Sequence, residues 1–133
     1  MEFVSFQIPA RNEKLQIASK ALRDLLKRNH VDELVIDECD LALCELLNNI
    51  VKHADDGEKH RIEIRLGMKK RMFFAEVEDD GLLAAAKRKR TGAAGKNKPQ
   101  VGPYEMARVG KLMHDVKYQY RDEKNFWVIS RMV

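Results

Sequence analysis

Glu45, Asn49 and His53 recur every four residues within the run Leu-Ala-Leu-Cys-Glu-Leu-Leu-Asn-Asn-Ile-Val-Lys-His-Ala at positions 41–54. Four helical steps of about 100° carry a side chain about 40° past a full turn, so the three polar groups form a tilted stripe along one flank. Leu43, Leu46, Leu47, Ile50 and Ala54 fall on an adjoining face, and burial of that face would fix the helix's rotation. A carboxylate, an amide and an imidazole would then stand side by side at the rim of the core. Carboxylate and amide oxygens suit hard cations such as magnesium, so the stripe can serve a metal–phosphate ligand. The plainer alternative is an amphipathic helix whose polar flank happens to carry these residue types.

The elements around this helix follow from periodicity. Residues 2–8 alternate, with Phe3, Ser5 and Gln7 opposite Val4, Phe6 and Ile8, and Pro9 ends the run as at a sheet edge. From Asn12 to about His30, Leu15, Ala18, Ala21, Leu22, Leu25 and Leu26 have helical spacing, with Asn12 as the expected N-cap. The helix carrying the polar stripe is expected over about Asp37–Ala54, ending in Asp55-Asp56-Gly57. Strands Arg61–Met68 and Met72–Val77, joined by Lys69-Lys70-Arg71, read as an antiparallel hairpin. The second of them runs into Glu78-Asp79-Asp80-Gly81, which puts two carboxylates and a glycine at its carboxyl end. A third helix is expected over about Tyr104–Leu112, then strands Val116–Arg121 and Phe126–Met132. The order βα–α–ββ–α–ββ predicts an α+β two-layer sandwich, a mixed, mainly antiparallel sheet with three helices on one face.

With 133 residues, the chain is expected to form one domain, 1–133, large enough for a single core. Hydrophobic residues at 44% and charged residues at 35% are ordinary for a soluble globular protein. There is no apolar run long enough for a bilayer, and Met-Glu-Phe-Val-Ser-Phe lacks the layout of a secretory signal. A cytoplasmic protein without a membrane partner is the expectation. Cys39 and Cys44 form no metal-type pair and read as buried free thiols. His30, His60 and His114 are scattered and suggest no metal cluster.

The net charge of +4 is unevenly placed. Residues 84–100 hold six Lys or Arg and no acid, which leaves −2 for the remainder. Lys87, Arg88, Lys89 and Arg90, with Lys96 and Lys98, therefore make one basic loop of about 82–102. Three roles fit it: a phosphate-covering lid, a solvated loop, or a nucleic-acid contact through counterion release. The last ranks lowest because no aromatic residues are interleaved for base stacking.

Taken in order, these features resemble the GHKL ATPase superfamily of gyrase, histidine kinase and MutL relatives. Within it they are most similar to the small anti-sigma-factor serine kinases of bacterial partner-switching systems. The first family motif, Glu-x-x-x-Asn-Ala-x-x-His-Ala, appears as Glu45-Leu-Leu-Asn-Asn49-Ile-Val-Lys-His53-Ala54, with Ile50 for the usual Ala. The second, Asp-x-Gly, is Asp79-Asp80-Gly81. The family's Leu-Met-Asp-Glu-Val appears as Leu112-Met113-His114-Asp115-Val116.

The resemblance implies an ATP–Mg²⁺ site. Glu45 would be the general base toward a serine hydroxyl, Asn49 the magnesium ligand, and His53 a further nucleotide-site residue. Asp79 would accept the adenine amine, with Gly81 allowing the backbone close to the ring. The loop's Lys87, Arg88, Lys89 and Arg90 would close over the phosphates. Asn49 and Asp79 would then face one nucleotide-sized hollow beneath that loop. The implied partners are an anti-anti-sigma, STAS-type antagonist and a sigma factor or other effector, with a homodimer by analogy and no nucleic acid. Two departures stand out. The family's Gly-x-Gly-Leu turn is Val101-Gly102-Pro103-Tyr104-Glu105-Met106, in which Gly102 alone survives and Pro103 has no N–H. Asn125-Phe126 stands where the family often has a small hydroxyl residue. A non-catalytic protein-binding module with a degenerate nucleotide site is the alternative.

Overall fold

In a computed structural model of the chain, the described residues are 1–54, 59–80, 100–101 and 104–133. Strand β1 covers Glu2–Pro9, helix α1 Leu15–Arg28 and helix α2 Glu33–His53. Strands β2 (Arg61–Lys69) and β3 (Met72–Asp79) form the expected hairpin. A two-residue pair, β4 at Gln100–Val101 and β5 at Tyr104–Glu105, precedes helix α3, Ala107–Leu112. Strands β6 (Asp115–Arg121) and β7 (Lys124–Met132) come last.

Five strands make one sheet in the order β1-β2-β3-β7-β6, with β1 at an edge. Every described pairing is antiparallel, so the α+β sandwich is present but its sheet is not mixed. The two helices between β1 and β2 carry the chain out and back, which returns it beside β1 running the opposite way.

Period-2 burial decides which side chains face the helices. On β3, Phe73, Ala75, Val77 and Asp79 are buried; on β7, Asn125, Trp127 and Ile129 are. Leu22, Leu25 and Leu26 of α1 and Ile36, Leu43, Leu46, Leu47 and Ile50 of α2 complete the core. Burial of a Leu or Ile side chain contributes about 1.5–3 kcal/mol, and these contacts fix how each helix is rotated. On the opposite face Gly67 makes room for its cross-strand partner Phe74, whose ring would lie 2.1 Å from a Cβ at that position.

Several boundaries differ from the sequence-based expectation. Asn12 is not an N-cap: it opens a short 3-10 turn, Asn12–Lys14, and α1 begins at Leu15. Helix α2 starts one turn early, at Glu33, where the acids Asp32 and Glu33 sit at the favourable end of the helix dipole. Strands β3 and β7 run further than expected, so Asp79 and Asn125 lie inside paired strands. Helix α3 is shorter than expected because Tyr104–Glu105 is extended and paired with Gln100–Val101.

Candidate functional site

Buried Leu43, Leu46, Leu47 and Ile50 hold α2 with Glu45, Asn49 and His53 half-exposed along its flank. Buried Val109 anchors α3, which leaves Arg108 and Lys111 on its free side. Between the helices lies a cleft of about 560 Å³ lined by Glu45, Asn49, Lys52, His53, Arg108 and Lys111. Its volume is in the range that receives small ligands and cofactors. The polar stripe thus faces one recess.

Two contacts tie the helices together across it. Arg108 Nη1 donates to Glu45 Oε1 at 2.9 Å. Asn49 Nδ2 points to the sulfur of buried Met106 at 3.8 Å, a weak contact that leaves the amide oxygen for another partner. Among the described lining residues, the cationic side chains of Lys52, Arg108 and Lys111 stand against the one carboxylate of Glu45, so the cleft favours an anion.

Asp79 lies at the end of β3, 3% exposed, on the helix-facing side. Its register partner on β7 is Asn125, fully buried, whose Nδ2 donates to Asp79 Oδ1 at 3.3 Å. Asn125 in turn accepts a hydrogen bond from the Tyr118 hydroxyl through Oδ1, and the Tyr118 ring packs on Trp127 with centroids 5.1 Å apart. A carboxylate held this way is aimed by its neighbours, as the recognition of one planar donor requires. Asp80, next in the chain, is exposed and pairs with His60 Nδ1 at 2.8 Å.

Among the described residues Asp79 does not line the Asn49 cleft. It borders a separate depression of about 150 Å³ with Gln7, Arg61, Glu63, Glu78, Asp80 and Lys124. Glu63 and Glu78 are cross-strand partners there. Burial, and then the hydrogen bond with Glu63, pushes the Glu78 carboxyl above its ordinary value. An acid-lined depression repels phosphates, whereas the cation-lined cleft attracts them.

Among the described residues the structure therefore brings Glu45, Asn49 and His53 to one cleft, while Asp79 borders a different depression at a strand end. Gly81, Lys87, Arg88, Lys89, Arg90 and Gly102 lie outside the described residues. Sequence reasoning passed over Lys52, Arg108 and Lys111 as site residues, and it noted Asn125 only as a departure. The signal for Arg108 and Lys111 was their i, i+3 spacing on one helix face. For Asn125 there was none, because its role depends on strand register. Among the described residues no group of three or more His, Cys, Asp or Glu could hold a metal ion. Among the described residues no helix is long and apolar enough to cross a membrane.

A family profile described as Histidine kinase-like ATPase domain matches residues 8–130. No curated protein matches the chain. Among solved structures, it is similar to the crystal structure of the RsbU and RsbW domains of Rv1364c from Mycobacterium tuberculosis. The TM-score is 0.71 at 15% identity, over 99% of this chain and 32% of that one. The chain thus spans about a third of the length of that relative, and the likeness is one of fold.

Proposed function

The chain belongs to the histidine kinase-like ATPase family, and from that premise we propose that it is a cytoplasmic anti-sigma regulatory factor and serine-protein kinase. It would be one domain, 1–133, with a basic lid of about 82–102, that binds ATP–Mg²⁺ and phosphorylates a serine of an STAS-type antagonist. Its other partner would be a sigma factor or similar effector, and a homodimer is part of the proposal. The observation that carries it is the cleft in which Glu45 and Asn49 share one recess with Lys52, Arg108 and Lys111.

The cleft's donor set supports the phosphate half of this reading, and Asp79, which borders a separate depression at the strand end, is proposed for the base half. At the phosphate end, the three cations offset the charge of a polyphosphate, and the Asn49 amide oxygen is left for magnesium. At the base end, buried Asp79, oriented by Asn125, would accept the adenine amine. ATP supplies the phosphoryl group. Glu45 takes the proton of the attacking serine hydroxyl, for which a half-exposed carboxylate at the cleft wall is within reach of a docked partner. His53 and Lys52, one helical turn beyond Asn49, would help hold the phosphates, and Lys87–Arg90 would close over them.

Incubation with γ-labelled ATP and an STAS-type antagonist tests this. Labelled phosphoserine should form, and Glu45→Ala should slow it about 100-fold or more. Transfer that survives Glu45→Ala refutes the base assignment.

One observation favours a second reading. Where the family has a glycine-rich turn into the helix, Tyr104–Glu105 is a paired strand and α3 starts only at Ala107. A protein-binding module that has lost nucleotide turnover would keep the sandwich and show no ATP-dependent stabilisation.

A further inference from the structure

Arg108 lines the cleft from the α3 side. It stands in the first turn of α3, five residues after Pro103, which has no N–H to offer. Its guanidinium reaches across to α2 and holds Glu45 Oε1 at 2.9 Å, yet the residue is 66% exposed. An exposed ion pair of this kind is weak and readily exchanged. The same guanidinium carries five N–H donors in a fork that matches the oxygens of a phosphate. Beside it, Lys111 and Lys52 bring further positive charge, and Glu45 is the single acid among the described lining residues.

Resting on the proposed nucleotide site, we infer that Arg108 recognises the terminal phosphate of a nucleoside triphosphate through its fork of N–H donors. In its absence Arg108 occupies Oε1 of Glu45, one of the two oxygens of the proposed base. Engagement of the terminal phosphate draws the guanidinium away and frees that oxygen. The base is thereby available when a transferable phosphoryl group is present and masked when a diphosphate is bound.

Calorimetric titration of the full chain with ATP and with ADP, each with Mg²⁺, tests the assignment. Wild type should prefer ATP, and Arg108→Gln should weaken ATP about tenfold while moving ADP less than about twofold. Arg108→Lys should recover part of the preference, since it keeps the charge and loses the fork. Glu45→Gln should tighten ATP in the Arg108 protein and have no effect in the Arg108→Gln background, because the competing carboxylate matters only to the guanidinium. An unchanged ATP-to-ADP ratio in Arg108→Gln, with binding intact, overturns the role of Arg108 and leaves the nucleotide site standing. If wild type binds neither nucleotide, both fall together.

Discussion

Asn125 stands directly opposite Asp79 on the neighbouring strand and donates to its carboxylate at 3.3 Å, with both side chains in the core. A buried carboxylate needs such partners, because an ionised group taken from water without them is strongly penalised. The same amide receives the Tyr118 hydroxyl, so one residue serves buried Asp79 and half-buried Tyr118. Asn125→Ala should therefore destabilise the fold by about 1–3 kcal/mol. Urea unfolding followed by circular dichroism measures it; a midpoint within error of wild type would show that the amide is dispensable.

A second buried polar node joins the helices. Asp40 accepts Ser19 Oγ at 2.9 Å and Arg23 Nε at 2.8 Å, and Arg23 also meets Asp37 at 2.9 Å. Asp40→Ala leaves a partly buried guanidinium and the Ser19 hydroxyl without their shared buried acceptor and should cost about 2–4 kcal/mol. Asp37→Ala, at an exposed position, should cost under about 1 kcal/mol. Equal losses in the two variants would contradict the ranking.

Burial pushes the Cys39 thiol up to about 11, and burial with the neighbouring Asp40 carboxylate pushes Cys44 up to about 12, from an ordinary 9.0. Both groups are raised in the folded state, so the native protein keeps protons that the unfolded chain releases above pH 9. Stability should be independent of these thiols below that pH and fall as pH rises from 9 toward 12. Thiolate-specific reagents at pH 8 should label the native protein slowly and the unfolded protein fast. Fast native labelling of either cysteine would overturn the burial account.

The β6–β7 turn holds Asp122 and Glu123 at φ 52° and 61°, a left-handed pair that non-glycine residues adopt at a cost. Glu123→Gly should raise stability by about 0.5–1 kcal/mol, read as a higher melting temperature. A fall would mean that the Glu123 side chain contributes more than the strain removes.

Much of this was legible in the residues. Alternation marked the β2–β3 hairpin, and the four-residue spacing of Glu45, Asn49 and His53 marked a helix flank that does line a cleft. Helical period is a local property, so it survives the step from sequence to fold. The pairing of Asp79 with Asn125 was not legible, because strand register links residues far apart in the chain. The start of α3 was missed for the same reason: Tyr104–Glu105 carry no signal for pairing with Gln100–Val101. The Arg108–Glu45 bridge needed the packing of two helices to bring its ends together.

Melting of the full chain with ATP and Mg²⁺ tests the central claim, that this is a nucleotide-binding domain. Ligand at about 100 times its dissociation constant stabilises the folded state by about 2.7 kcal/mol, a rise of roughly 5–10 °C for a chain of this size. Asn49→Ala should lose most of that rise through magnesium, and Asp79→Asn through adenine. An undiminished rise in both variants overturns the roles of Asn49 and Asp79; a wild-type melting temperature unmoved by millimolar ATP–Mg²⁺ contradicts the claim itself.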